Sequence, residues 1–202
     1  MTGSPGSQVD VDADLVEALR RDDLDAAETL VERFGDRVYR LARRITGSNE
    51  DAEEVAQDAL WTAVRKIGTF KGDSVFGSWL YRIAANAAYH RLRARHGNDR
   101  EVALDDVLPA FDGESRHFEP TADWSARVAE RALTADLLQV LERVIDGLPP
   151  DHRTALLMHD VEGLSNSDIA ETLGISLTAA KSRVHRSRLW VRKQLAEYLQ
   201  PR

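Results

Sequence analysis

The chain has 202 residues, a formal net charge of −7 and 43% apolar side chains, enough for one large or two small cores. It contains no cysteine, which excludes a disulfide framework, a thiol nucleophile and a zinc site built on sulfur. No run of about 18 apolar residues occurs, and the first ten residues lack the basic and apolar parts of a signal peptide, so a cytoplasmic protein without membrane insertion is expected.

Residues 1–11 read as a disordered tail. A short helix is predicted over 12–20. A longer one over 23–46 has Leu30, Phe34, Val38, Leu41 and Ile45 at three- and four-residue spacing, with Gly35 as its candidate kink. Gly47 stops it, and Ser48 or Asn49 caps the next helix, 50–67. That helix opens on acidic residues, which suit the positive end of its dipole. Its apolar face is Ala52, Val55, Ala56, Ala59, Leu60, Ala63, Val64 and Ile67; its opposite face carries Glu54, Gln57, Asp58 and Trp61. After a loop, a third long helix runs from Ser74 to Arg95, burying Phe76, Leu80, Ile83, Ala84 and Ala87. Its other side presents Arg82, Asn86, Tyr89 and Arg93, with Trp79 assigned to the core.

Residues 97–132 show no period and hold Pro109, Gly113 and Pro120 among many acids. They read as a flexible acidic linker between two domains, 12–96 and 133–199. The second domain opens with a helix from Leu133 to Ile145, which Gly147 and the two prolines after Leu148 break. A helix over 151–161 follows. Ser165 and Asp168 make a capping-box start to a short helix ending near Leu173. Gly174 supplies a left-handed turn, and Ser176 caps a last helix reaching Tyr198. The fold class is therefore all-α, in two helical domains.

The short helix ending near Leu173, the turn at Gly174 and the basic last helix have helix-turn-helix spacing, a geometry that seats the second helix in the DNA major groove. Leu177, Ala180, Val184, Ser187 and Val191 form its buried face, packing on Leu157, Ile169 and Leu173. Thr178, Lys181, Ser182, His185 and Arg186 face outward with Arg188 at the edge, and Leu189 is the one apolar intruder. Lys181 and Arg186 can reach guanine acceptors or phosphates, whereas Arg183, Arg188, Arg192 and Lys193 suit the DNA backbone. The acidic total does not oppose this. Residues 61–100 carry a net +6 and residues 101–150 a net −7, and charges are screened over about 10 Å.

Two blocks resemble RNA polymerase sigma factors of the extracytoplasmic-function (ECF) group. The first is Asp51-Ala-Glu-Glu-Val-Ala-Gln-Asp-Ala-Leu60 with Phe76-Gly-Ser-Trp-Leu-Tyr-Arg-Ile-Ala-Ala-Asn86; the second is Leu148-Pro-Pro-Asp-His-Arg153 with Leu164 to Arg188. The resemblance implies a sigma region 2 that grips the clamp helices of core RNA polymerase through Asp51, Glu54, Gln57, Asp58 and Trp61. It implies that the −10 element, as a single strand, is read by Lys71, Gly72, Asp73 and Ser74 of the loop and by Arg82, Asn86, Tyr89 and Arg93. It implies a region 4 that touches the polymerase flap and reads the −35 duplex through Thr178, Lys181, Ser182, Arg183, His185, Arg186 and Arg188. An anti-sigma factor is a further implied partner; no cofactor, metal or catalytic residue is. The chain departs from the common pattern at Gly77, where a basic residue is usual, at His90, where Asp is usual, and at Ala56, where a larger apolar residue is usual.

Two rivals stand beside this reading. A dimeric helix-turn-helix regulator explains residues 148–193 but not the first block. A protein-interaction module on a borrowed fold leaves the basic helix without a use. His152 and His159 lie seven apart on one predicted face, with no third metal ligand evident.

Overall fold

Local hydrogen-bond chemistry sets most helix ends. The structure, a computed structural model, describes residues 12–96 and 135–199; the expected tail and the whole of the expected linker lie outside the described residues. The N-terminal module comprises α1 (Ala13–Arg20), α2 (Leu24–Thr46), α3 (Asn49–Lys66), a 3-10 turn (Ile67–Thr69) and α4 (Phe76–His96). The C-terminal module comprises α5 (Ala135–Asp146), α6 (Pro150–Leu156), a π-helical turn (Leu157–Val161), α7 (Asn166–Leu173) and α8 (Leu177–Leu199).

The Asp23 carboxylate caps α2 by accepting from the Asp25 amide, and the Ser48 hydroxyl caps α3 by accepting from the Asp51 amide. At α7 both halves of the capping box form: Ser165 Oγ accepts from the Asp168 amide, and the Asp168 carboxylate accepts from the Ser165 amide. Gly174, at φ +65°, then turns the chain into α8. Removing the hydroxyl half of the box, Ser165→Ala, should cost about 1 kcal/mol. Urea unfolding of the purified chain measures it as a lower transition midpoint.

Two expectations change. The helix predicted over 151–161 is α-helical only to Leu156, after which the Glu162 amide reaches back to Leu157 O and the Leu164 amide to Met158 O. The wider turn lets the chain enter the helix-turn-helix with Leu157 and Met158 both fully buried. Gly35 makes no break; α2 is one continuous helix.

The N-terminal core follows from small residues. Ala52, Ala56, Ala59 and Ala63 of α3 and Ala84, Ala85 and Ala88 of α4 are buried, so these helices meet along alanine faces and approach the Leu30, Val38, Leu41 and Ile45 stripe of α2. At one end the Phe76 ring lies edge-on to Phe34 (centroids 5.5 Å apart) and to Phe70 (5.6 Å), with Trp79 at 5.7 Å. Trp79 is buried, as its position predicted. The packing also accounts for Gly77. A Cβ there would stand 3.3 Å from the Tyr81 ring and 3.5 Å from Phe34, so any side chain at this position requires the Tyr81 ring to give by a few tenths of an ångström, while Phe34 stays in ordinary contact.

The C-terminal core is Ala155, Leu157, Met158, Ile169, Leu173, Ala180 and Val184. It is not isolated. α4 packs on α7 and α2 on α6, and the buried apolar side chains of both modules form one continuous cluster.

Candidate nucleic-acid and polymerase interfaces

Helix α8 packs on both α6 and α7 through Ala180, Val184 and the fully buried Ser187, whose hydroxyl lies 2.7 Å from Arg183 O in α8 itself and 3.0 Å from His152 O of α6. Fixing that face leaves Thr178 and Lys181 exposed and Ser182, His185 and Arg186 half-buried. Arg183 and Arg188, expected beside DNA phosphates, are engaged within the module. Arg183 Nη1 is 2.9 Å from the Asp151 carboxylate, and Arg188 Nε donates to Asp160 at 2.8 Å. The Arg188 hydrogen bond holds Asp160 below its ordinary pKa. Leu177 is a correction: expected on the buried face, it is 48% exposed, because it is the first residue of α8 and lies beyond the reach of α7. The two histidines weighed as ligands sit apart in function. His152 is half-buried against Ser187, and burial lowers its pKa. His159 pairs with Asp160.

On the N-terminal module the loop residues Lys71, Gly72, Asp73 and Ser74 are all exposed, with Gly72 at φ +78°. On α3, Gln57 and Asp58 are exposed and Trp61 is 64% exposed. A tryptophan left in water on a folded helix, flanked by carboxylates, has the chemistry of a protein-docking anchor. Glu54 is exposed but receives Arg91 Nη2 at 2.6 Å.

Asp51 is placed differently from its four neighbours in the expected docking set. It turns inward, where Arg91 Nε donates at 2.7 Å and Arg95 Nη1 at 3.0 Å. The Arg91 hydrogen bond, with help from Arg95 and against the cost of burial, pulls its pKa below the ordinary 3.8. A depressed carboxylate contributes stability that is present above the ordinary value and lost as pH falls through the folded one. Asp51→Asn should therefore lower the melting temperature at pH 7 and flatten its decline below about pH 4. A pH series of thermal melts of the two chains measures both.

The outer face of α4 is the largest departure. Arg82, Asn86 and Tyr89 were expected in solvent, yet Tyr89 is only 3% exposed and the other two are half-buried. The C-terminal module covers them. Arg82 Nη1 donates to Asp168 Oδ1 at 2.6 Å, the Tyr89 hydroxyl donates to Asp151 Oδ1 at 2.9 Å, and Thr172 Oγ1 donates to Asn86 Oδ1. Burial, reinforced by Asp151, pushes the Tyr89 phenol up to about 12. Arg93 remains exposed, its guanidinium 5.9 Å from the Tyr89 ring centroid. Sequence reasoning missed the residues that complete this contact. Arg37 Nε donates to Glu162 Oε2 at 3.1 Å, and Arg153 Nη2 donates to Ile45 O at 3.1 Å. Their partners lie 125 and 108 positions away, and no local pattern marks such pairs.

An all-helical chain with a helix-turn-helix at one end and an exposed tryptophan on the other module is a DNA reader joined to a protein-docking domain. Comparison with known proteins gives its family. The Sigma-70 region 2 family matches residues 30–97, and the Sigma-70 region 4 family matches residues 138–191. The RNA polymerase sigma-H factor of Pseudomonas aeruginosa is 35% identical over 93% of this chain and 95% of its own. The ECF RNA polymerase sigma-E factor of Haemophilus influenzae is 32% identical over 91% and 95%. Among solved structures, the sigma factor RpoE of Bartonella quintana, crystallised with the anti-sigma factor NepR, superposes with a TM-score of 0.54 at 24% identity, over 83% of this chain and 95% of that one. The chain belongs to the ECF group of RNA polymerase sigma factors. It is a promoter-recognition subunit of RNA polymerase and not an enzyme. Among the described residues, no helix is long and apolar enough to cross a membrane.

Proposed function

We propose that this sigma factor divides its work between the two modules along the boundaries read from the sequence: region 2 over 12–96, an acidic linker over 97–132 and region 4 over 133–199. Region 4 reads the −35 duplex with α8. Thr178, Lys181, Ser182, His185 and Arg186 face the groove, and Arg183 and Arg188 meet phosphates after exchanging their carboxylate partners. Region 2 reads the −10 element as a single strand. The Lys71 to Ser74 loop takes an unpaired base, Tyr89 stacks on another, and Arg82, Asn86 and Arg93 hold the backbone. Stacking worth about 1–3 kcal/mol per base offsets strand separation. Glu54, Gln57, Asp58 and Trp61 dock on the clamp helices of core polymerase, with Asp51 holding Arg91 and Arg95 in place behind them. Region 4 also meets the flap.

The observation that carries this reading is α8 itself: its apolar side is fixed by Ala180 and Val184 while Thr178 and Lys181 stand in solvent. A Lys181→Ala chain, assembled with core enzyme on −35 duplex DNA, should show a log–log salt slope smaller in magnitude by about 0.9 for the one phosphate lost. If Lys181 reads a base instead, the slope stays and discrimination at one −35 position is relaxed. A variant that changes neither would remove α8 from the DNA.

Control by an anti-sigma factor is part of the proposal, supported by the relative crystallised with one. The cytoplasm follows as the place of work, since core polymerase and promoter are there. The regulator alternative receives no support from the N-terminal module, which matches the Sigma-70 region 2 family and leaves Trp61 exposed on α3.

A further inference from the structure

Helix α1 is short and carries no residue assigned above to DNA or polymerase, yet its last side chain reaches the loop assigned to the −10 element. Leu15, Val16 and Leu19 bury one side of α1, which packs on α2 and on the 3-10 turn Ile67–Thr69. A cation in the last turn of a helix suits its dipole, and for that role alone Arg20 would turn back to the carbonyls of α1. Ala18 O and Leu19 O are already met by the Arg21, Asp22 and Asp23 amides. Arg20 points instead to another segment. Its Nη2 donates to Phe70 O at 2.7 Å, fifty positions along the chain, and its Nη1 donates to Glu17 Oε1 at 2.7 Å.

Phe70 is where the Lys71 to Ser74 loop begins. Its ring is buried against Phe76 and Trp79, with centroids 5.6 and 5.4 Å away, and its amide donates to Ile67 O at 3.0 Å. Ring, amide and carbonyl of this residue are therefore all held. The peptide unit is planar, so fixing Phe70 O fixes the plane that carries the Lys71 amide, and with it the direction in which the loop leaves. At the far end Val75 O accepts from the Ser78 and Trp79 amides and opens α4. The four residues between are exposed, and among the described residues no hydrogen bond or ion pair fixes them. Their placement is set at the two ends, and Arg20 helps to set one of them.

We propose that Arg20 is a positioning residue for base selection at −10: it aims the Lys71 to Ser74 loop from outside the DNA interface, with Glu17 orienting its guanidinium. This rests on the assignment of that loop to an unpaired −10 base. The planar guanidinium serves both partners at once through two nitrogens in a fixed fork, a geometry that a single ammonium does not reproduce. Its bond to the carbonyl is charge-assisted, and so stronger than a neutral one. Helix α1, which meets no base, thereby contributes to promoter choice.

The test is run-off transcription by core RNA polymerase loaded with the full chain, on a promoter selected from a random library and on its single-base −10 variants. The rate ratio between the selected promoter and each variant is read, because loss of folded chain scales every template alike and leaves the ratio unchanged. Arg20→Ala should lower that ratio at one −10 position about tenfold, less than the roughly hundredfold that an ångström of misplacement can cost. Ratios for single-base changes at −35 should stay those of the parent, and Arg20→Lys should recover part of the loss. An Arg20→Ala chain with the parent's −10 ratios overturns the proposal, whatever its total activity. A Lys71→Ala, Asp73→Ala chain separates the two readings. If that chain has altered −10 ratios and Arg20→Ala does not, the positioning role alone fails. If the loop chain keeps the parent's ratios, the assignment of the loop to −10 fails and the proposal falls with it.

Discussion

Trp61→Ala should weaken binding of core RNA polymerase by about thirtyfold or more while leaving the fold intact. Alanine at a central interface anchor costs about 2 kcal/mol or more, and each 1.4 kcal/mol is a factor of ten in affinity. The prediction is sharp because Trp61 is 64% exposed on a helix whose other side is closed by alanines. Its removal leaves no cavity, so the thermal melt should barely move. Fluorescence anisotropy of labelled chain titrated with core enzyme measures the affinity. An unchanged affinity would move the docking surface away from the exposed face of α3, and a large fall in melting temperature would mean the ring supports the fold.

Phe76→Ala should have the opposite signature. Phe76 is 0% exposed and lies at the centre of the aromatic cluster, in contact with Phe34, Phe70 and Trp79. Truncating a buried phenylalanine costs about 3–5 kcal/mol, against a total of about 5–15 kcal/mol for an ordinary domain. Urea unfolding should show a large loss of stability. The effect on function should come only through loss of folded chain, since the ring touches no surface assigned to DNA or polymerase. A loss below about 1 kcal/mol would mean that the neighbouring rings close the space.

The helices were legible because their ends depend on neighbours within four residues. Ser48, Gly47, Ser165 with Asp168, and Gly174 each act where their chemistry predicted. The alanine and leucine faces of α2 and α3 were legible because one period describes one buried side. Three features were not. Tyr89 reads as outward because α4 has a second covered face, and that cover comes from residues more than sixty positions away. Asp51 reads as a dipole-complementing acid of the first turn of α3; only the return of α4 brings Arg91 and Arg95 to it, forty and forty-four positions later. Leu177 fits the apolar period of α8, but the period does not say where α7 stops. Of the candidate site, the exposed Trp61 and the outward Lys181 were legible from helical phase. The engagement of Arg82 and Arg183 with carboxylates was not, since side-chain type gives charge and not partner.

Part of the acid–base asymmetry of the chain meets across the contact between the modules. Acids at 151–168 meet basic and donor groups at 37–89 across the module contact. The expected acidic linker, 97–132, lies wholly outside the described residues.

The most direct measurement is run-off transcription with purified core RNA polymerase on a randomised promoter library, with and without this chain. The account predicts that the chain selects RNAs whose templates share two short elements, one near −35 and one near −10, and that an exchange of Lys181 and Arg186 for Glu abolishes enrichment of the upstream element. Core enzyme that transcribes the same templates with and without the chain would contradict it.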